Sequence, residues 1–284
     1  MYSKSASESP NIQELVTDSM LLAFPNTAVI HYPFGITANR YTPSISEHWW
    51  PGLGDWEKGT FETFQKYIDA NTTVIDFGAW IGPTVLFAAN LAKRVIAFEC
   101  DPYAMTELSR NVVLNPRLSH KISLSSLCIS DKRERLRMSG AGGSGSTVNA
   151  VSDDHFQHVA GIVNNSRAKY EWEVDCVPLA DIIEENQITG DVFVKIDTEG
   201  AESFIVPSLK KWLESRRDRL PTIFVSMHTH FSHLDQKPKL VQGWLEIFRM
   251  YEKVMPQGEA PIHGSKWTAE KLTQCTQCDI ILTS

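Results

Sequence analysis

The nine residues Val74–Gly82, "VIDFGAWIG", decide how the rest of the chain is read. A short apolar run is interrupted by Asp76 and ends at Gly78, and Gly82 follows with Trp80 between the two glycines. A run of this length, rich in β-branched residues and bounded by glycine, is a buried strand. "PTVLFAANLA" follows as a helix with Pro83 in its first turn, and "RVIAFE" is the next strand, closing on Glu99. "DPYAMTELSRNVVLNP" then opens with an Asp cap and proline at the first helical position. It carries Met105, Leu108 and Val112 on one face and stops at Asn115–Pro116. Two strand–helix units in succession make a parallel sheet with right-handed crossovers the economical topology.

Glu99 lies 23 residues after Asp76, a spacing that invites comparison with a dinucleotide fingerprint. That fingerprint needs a middle glycine so that the backbone can approach a pyrophosphate, and Trp80 stands in the glycine-poor interval here. A nicotinamide-dependent oxidoreductase is therefore disfavoured. A ligand with a ribose and no phosphates fits better. Glu99 can accept both ribose hydroxyl protons, the glycines let the backbone come close, and the helix start can face a carboxylate. S-adenosylmethionine has that profile, and its sulfonium suits the acids gathered at the strand ends.

Further along, "ISLSSLCIS" reads as a third strand, and the pattern then breaks into "ERLRMSGAGGSGSTVNAV" and a polar stretch to about residue 170. Glycines 140, 142, 143 and 145 argue for a surface loop or hairpin end. The alternation resumes at "WEVDCVPLADIIEEN". "DVFVKI" and "PTIFVSMH" read as strands, "AESFIVPSLKKWLESRR" and "KLVQGWLEIFRMY" as helices, and "CDIILTS" as a closing strand.

Taken together, "VIDFGAWIG", "VIAFECDP", Asn111 and Asn115 of "NVVLN", the "CISD" after the third strand and "VKIDTEGAE" resemble the FkbM family of S-adenosylmethionine-dependent methyltransferases, from about residue 72 to about 230. The resemblance implies an α/β class I methyltransferase fold, Rossmann-like, with helices on both faces of a mostly parallel seven-stranded sheet. Its last strand is antiparallel, and "CDIILTS" occupies that place. It also implies O-methylation of hydroxyls on sugars, polyketides or other small metabolites. By position it puts Asp76, Gly78 and Gly82 around the methionine end of the cofactor, Glu99 on the ribose, and Asp101 and Ser130 near the adenine. Cys100 departs from the family, which usually has proline between the two acids.

The second informative stretch is Val192–Phe204, "VFVKIDTEGAESF", an apolar strand that finishes in charges. Ligands of open α/β sheets sit outside the carboxyl ends of the strands, which brings this end and the end at Met227–His230 over the methyl group. Lys195, Asp197 and Glu199 point to one side if the extended geometry persists. A neutral hydroxyl needs alignment and removal of its proton. The expectation is that Asp197 or His228 takes that proton while Lys195 and Glu199 orient the substrate or the base. Glu202 is read as serving the helix dipole, with Gly200 making the turn. His228, His230 and His233 lie close enough in "MHTHFSH" to raise a metal with Asp197 or Glu199, but a surface histidine cluster is the preferred reading and no metal ligand is assigned.

Composition sets the outer limits. The chain has 284 residues, 42% hydrophobic and 21% charged, with a formal net charge of -7, so no broad basic surface is available for nucleic acid. No apolar run is long enough to span a membrane, and the N-terminus lacks the apolar core of a secretory signal; a cytoplasmic protein is expected. The five cysteines, at 100, 128, 176, 275 and 278, are read as reduced thiols. The pair in "CTQC" has the spacing of half a zinc site, which a helix-to-strand junction explains as well. Residues 1–60 are read as an N-terminal arm or cap before a methyltransferase domain over 61–284. The arm's Trp49, Trp50 and Trp56 are placed as cover for the core edge, with a platform for a sugar face as the functional alternative. The whole reading is an O-methyltransferase acting on a carbohydrate or glycan hydroxyl. A polyketide or other small metabolite is the alternative acceptor, and a non-catalytic cofactor-binding module the alternative class.

Overall fold

Val74, Ile75 and Phe77 are fully shielded from solvent because their strand runs through the middle of a sheet covered on both faces. The computed structural model describes residues 36, 57–140, 150–151, 170–228, 234–275 and 277–284. Trp49, Trp50, Trp56, His230, His233, nearly all of the N-terminal arm and most of the glycine-rich stretch lie outside the described residues.

In chain order the first half contains α1 (Lys58–Tyr67), β1 (Thr73–Phe77), α2 (Pro83–Leu91), β2 (Arg94–Phe98), α3 (Pro102–Val113), α4 (Pro116–Ser119), β3 (Ile122–Ser125), β4 (Cys128–Ile129), β5 (Glu134–Gly140) and β6 (Ala150–Val151). The second half contains β7 (Tyr170–Val177), α5 (Leu179–Glu185), β8 (Val192–Ile196), α6 (Glu202–Ser208), α7 (Lys210–Glu214), β9 (Thr222–Met227), α8 (Pro238–Phe248), β10 (Lys253–Pro256), α9 (Ala269–Gln274) and β11 (Cys278–Thr283).

Seven strands form the main sheet in the order β10-β11-β9-β8-β1-β2-β3. The five from β9 to β3 are parallel, and β11 runs antiparallel to both of its neighbours. This is the class I methyltransferase fold that the sequence implied. The strand order reverses between β1 and β8, so a crevice opens at their carboxyl ends.

Side-chain alternation divides the core. Ile75 and Phe77 join Val194, Ile196, Val225 and Trp244 on one face, whereas Val74 joins Phe193, Phe224 and Phe87 on the other. Phe64 of α1 meets Phe193 and Phe224 edge to face at 5.1 and 6.2 Å, and Phe61 lies 4.5 Å from Phe87. Each such pair is worth about 0.5–1.5 kcal/mol beyond its buried area. The packing fixes α1, and with it the preceding Glu57, against the rim of the crevice. Ile36 is buried in the same layer.

Three elements differ from the sequence expectation. "ISLSSLCIS" is two strands, because β3 pairs with β2 while β4 leaves for a second sheet of order β4-β7-β5-β6. In that sheet β5 and β6 fall in the stretch where the strand–helix pattern breaks, and Leu136 and Met138 of β5 pack with Val174 and Cys176 of β7, while Arg135 pairs outside with Glu173 at 2.9 Å. "AESFIVPSLKKWLESRR" breaks after Pro207. Proline lacks the N–H that would reach back to Ser203, and the Ser203 carbonyl instead accepts from Trp244 Nε1 at 3.3 Å. Among the described residues no helix is long and apolar enough to cross a membrane.

Candidate active site

A cavity of about 570 Å³ opens at the carboxyl ends of β1, β2, β8 and β9, within the size range of small-ligand sites. Sheet order gives it two ends. Phe98, Ala104, Leu127, Ile129 and Met138 make an apolar end beside β2 and the second sheet. Glu57, Asp197, Glu199, His228 and Asp279 make a charged end beside β8, β9 and the start of β11.

The loop after β1 forms the floor between them. Its backbone alternates in hand, with positive φ at Gly78 (76°), Trp80 (47°) and Gly82 (96°). At Gly78 a Cβ would collide with the Asp197 carbonyl, so only glycine fits where β1 and β8 converge. Trp80 N–H donates to Glu99 Oε2 at 2.7 Å, and Asp101 N–H donates to Oε1 at 2.8 Å. Burial pushes the Glu99 carboxyl up to about 7, the two N–H groups opposing that rise. Glu57, Trp80 and Glu199 all line the cavity and are three of the four non-glycine residues with positive φ among the described residues. Backbone strain is thus concentrated here.

Beneath the floor, Asp76 and Lys195 are cross-strand partners on one face, exposed by 0% and 2%. Lys195 Nζ lies 3.1 Å from Asp76 Oδ1, donates to the Gly78 carbonyl at 3.1 Å, and stands 3.4 Å from Asp197 Oδ2. Thr84 Oγ1 donates to the other Asp76 oxygen at 2.6 Å. Burial alone would lower the Lys195 pKa, but the charges of Asp76 and Asp197 hold it above the ordinary lysine range. Lys195 thus reaches Asp197 and the β1 loop at once while lining the cavity.

At the charged end, Asp197 is anchored by its N–H to the Phe77 carbonyl at 3.1 Å. Glu199 sits in the left-handed region at φ 53°. His228, just past β9, has Nδ1 3.9 Å from Asp197 Oδ1 and 3.5 Å from Glu202 Oε1, and Nε2 3.7 Å from Glu199 Oε2. Burial would lower the His228 pKa, but Glu202, Glu199 and Asp197 together raise it to about 9. That direction favours the protonated ring, whereas the sequence expectation took His228 near its reference value. Burial raises Glu199 to about 7, and raises Glu57 likewise to about 7.

The sequence-derived residues thus separate. Gly78, Glu99, Lys195, Asp197, Glu199 and His228 line the cavity. Asp76 is spent on Lys195 and Thr84 below it, and Gly82 packs against Leu108 as the cap of α2. Asp101, expected near the adenine, caps α3 through the N–H groups of Tyr103 and Ala104 and is fully buried. Ser130, also expected there, donates to Glu134 at 2.5 Å. None of these four lines the cavity.

Sequence reasoning missed Glu57, Asp279 and the part played by Glu202. Glu202 is 1% exposed and does more than face a helix start. It accepts from Thr198 N–H at 2.6 Å and Gly200 N–H at 2.8 Å, closing the turn that presents Glu199, and it backs His228. An acid three residues after another acid in a glycine turn was the available signal. Nothing local marked Glu57 or Asp279. The cysteine reading is corrected for one pair: Cys275, which ends α9, and Cys278, which starts β11, form a disulfide. Cys100, Cys128 and Cys176 are free thiols. Hydrogen bonding with Cys100 and Cys176, together with burial, pushes Cys128 up and keeps it protonated.

The family model of the methyltransferase FkbM domain matches residues 76–254, well over half of the chain. The chain belongs to the FkbM methyltransferase family. Among solved structures, this FkbM chain is similar to a methyltransferase FkbM from Methylobacillus flagellatus KT at 12% identity and TM-score 0.42, over 78% of this chain and 50% of that one. The chain thus spans half the length of that relative. It is also similar to an O-methyltransferase from Bacillus cereus in complex with SAH, at 9% identity and TM-score 0.40, over 98% and 93% of the two chains. A third is a putative methyltransferase from Streptococcus mutans in complex with SAH, at 11% identity and TM-score 0.35, over 79% and 95%. No curated protein matches the chain.

The cofactor of this FkbM domain is S-adenosylmethionine. The cavity fits it on chemical grounds. An apolar end suits a purine, Glu99 can accept from a vicinal diol, and the acids of the other end suit a sulfonium cation.

Proposed function

We propose that this FkbM chain methylates a hydroxyl group, most concretely one on a carbohydrate, with Asp197 taking the hydroxyl proton. One observation carries the reading: Glu99 and Asp197 face a single cavity from opposite sides of the β1 loop, so a ribose and a reacting hydroxyl can be held in one line. The cofactor, when bound, supplies an electrophilic methyl group on a sulfonium. The chain's residues supply everything else.

On this reading Glu99 anchors the ribose, and Leu127, Ile129 and Met138 enclose the purine. Asp197 faces the cavity with one oxygen steadied by the Lys195 ammonium, and Gly78 allows the β1 backbone to pass close beneath. His228, protonated, donates toward the acceptor or toward Asp197. A polyol suits this end of the cavity, because Glu57, Asp197, Glu199, Asp279 and Ser226 offer many acceptors to several hydroxyls at once. Residues 1–60 as an N-terminal arm or cap before the methyltransferase domain remain part of the proposal.

Labelled-methyl transfer to a panel of glycans, polyketides and simple polyols tests the acceptor class. Asp197→Asn is expected to lower the single-turnover rate by about 10²–10⁴-fold, the usual contribution of a positioned base, with cofactor affinity little changed. A wild-type rate in that variant would remove Asp197 from the role.

A further inference from the structure

Asp197, Glu199 and His228 each offer one donor atom, and these three atoms lie within 4.8 Å of one another. We infer that they form a divalent-cation site at the acceptor end of the cavity, in which the ion holds and polarises the acceptor hydroxyl.

The arrangement is of the right kind for an ion. His228 Nε2 and Glu199 Oε2 are 3.7 Å apart, too far for a hydrogen bond and close to the separation of two neighbouring ligands on one metal. His228 Nδ1 faces Glu202 Oε1 at 3.5 Å, so a buried carboxylate stands behind the ring as in carboxylate–histidine–metal triads. With Nδ1 beside Glu202, Nε2 is the ring nitrogen next to Glu199. Glu202 itself is fixed by the N–H groups of Thr198 and Gly200, so the supporting shell is rigid before any ion arrives.

The charge balance points the same way. Glu57, Glu99, Asp197, Glu199 and Asp279 line the cavity, against Lys195 and His228 as its cations, and Lys195 is occupied by Asp76 below the floor. The donor cofactor contributes one net positive charge. Two carboxylates and one imidazole form a mixed oxygen and nitrogen set open to several divalent first-row ions, of which Mn²⁺ serves as the paramagnetic probe. With three protein ligands an octahedral ion keeps open positions for the acceptor oxygen, and a Lewis acid there lowers the pKa of that hydroxyl, whose proton passes to the Asp197 oxygen that does not hold the ion.

The functional part of the inference rests on the hydroxyl-methylation reading; the site itself does not. Mn²⁺ is titrated into tag-free, chelator-treated full-length protein, and the free ion is followed by its paramagnetic resonance signal. One ion per chain is expected. Glu199→Gln and His228→Gln are expected to weaken binding more than tenfold, and Glu202→Gln by about 10–100-fold through loss of its support for His228. Asp191→Asn, a surface acid paired with Arg219, serves as the control and is expected to bind like wild type. Absence of binding to the wild-type protein at about 1 mM Mn²⁺, or wild-type binding in folded Glu199→Gln and His228→Gln variants, overturns the site. S-adenosylmethionine binding is measured by calorimetry on the same samples. Cofactor binding without Mn²⁺ binding removes the metal site and leaves the methyl-transfer reading standing, whereas Mn²⁺ binding without cofactor binding does the reverse.

Discussion

Lys195 shows how a charge on a strand face can be held inside the sheet by its neighbours. In "VFVKIDTEG" it reads as one of three charges on a strand face, since charged groups seldom lie in a dry core. The structure resolves this by pairing: Lys195 is 2% exposed because Asp76, at the same level on β1, is 0% exposed beside it. Removing one member of such a pair leaves a buried charge without a partner, at a cost of about 3–5 kcal/mol. Lys195→Met should therefore lower the urea midpoint sharply. The double variant Lys195→Met/Asp76→Leu should recover much of the loss, and equal midpoints in wild type and the single variant would exclude the pairing. Glu99 carries a different prediction. Its carboxyl titrates at about 7, raised by burial from an ordinary value of 4.5, with Asp101 and Lys195 as the charged groups facing it. A ribose diol is accepted best by the ionised form, so cofactor affinity should rise with pH, by roughly tenfold between pH 6 and 8 for a one-proton step. Glu99→Gln should bind weakly and lose that slope, because the other cavity acids titrate alike in both proteins. Calorimetry across the pH range reads both.

At the scale of elements, much was legible. β1, β2, β8 and β9 are central strands, and their unbroken apolar runs follow from burial on both faces. Asp101–Pro102 announced α3 correctly, since cap and proline act locally. Less legible were short elements whose existence depends on a partner. β10 is four residues ending in Pro256, an edge position where little local signal is needed. β5 and β7 alternate clearly in "RERLRMS" and "YEWEVDCV", yet the glycine-rich stretch between them hid that they pair with each other. β11 was legible as a strand, and its position explains a strong dependence on it. It lies between β9 and β10 with Ile280, Ile281 and Leu282 buried, and it brings Asp279 into the cavity, where Ser226 donates to it at 2.6 Å. A chain ending at Gln277 should lose cooperative thermal unfolding in near-ultraviolet circular dichroism. Retention of a sharp transition would show that the sheet closes without β11.

Across the whole molecule, the candidate site divides by distance along the chain. Asp197, Glu199 and Glu202 fall within one turn of sequence, and Gly78 and Glu99 within one strand–helix–strand unit, so their proximity could be read from spacing. Glu57 and Asp279 are nearly at opposite ends of the described chain, and only the aromatic packing of α1 and the insertion of β11 bring both to the cavity. Asp76, Asp101 and Ser130 show the complementary limit: spacing gave their place beside the crevice but not the side-chain and backbone partners they take up outside the cavity lining. The position of β11 also bears on how the molecule is made. Synthesis delivers β1 and β2 early and β11 after every other strand of the sheet, so its pairings with β9 and β10 are the last that the chain can make. Gly78 and Glu99 on one side of the cavity are thus already made when Asp279 on the other has yet to be added to the chain.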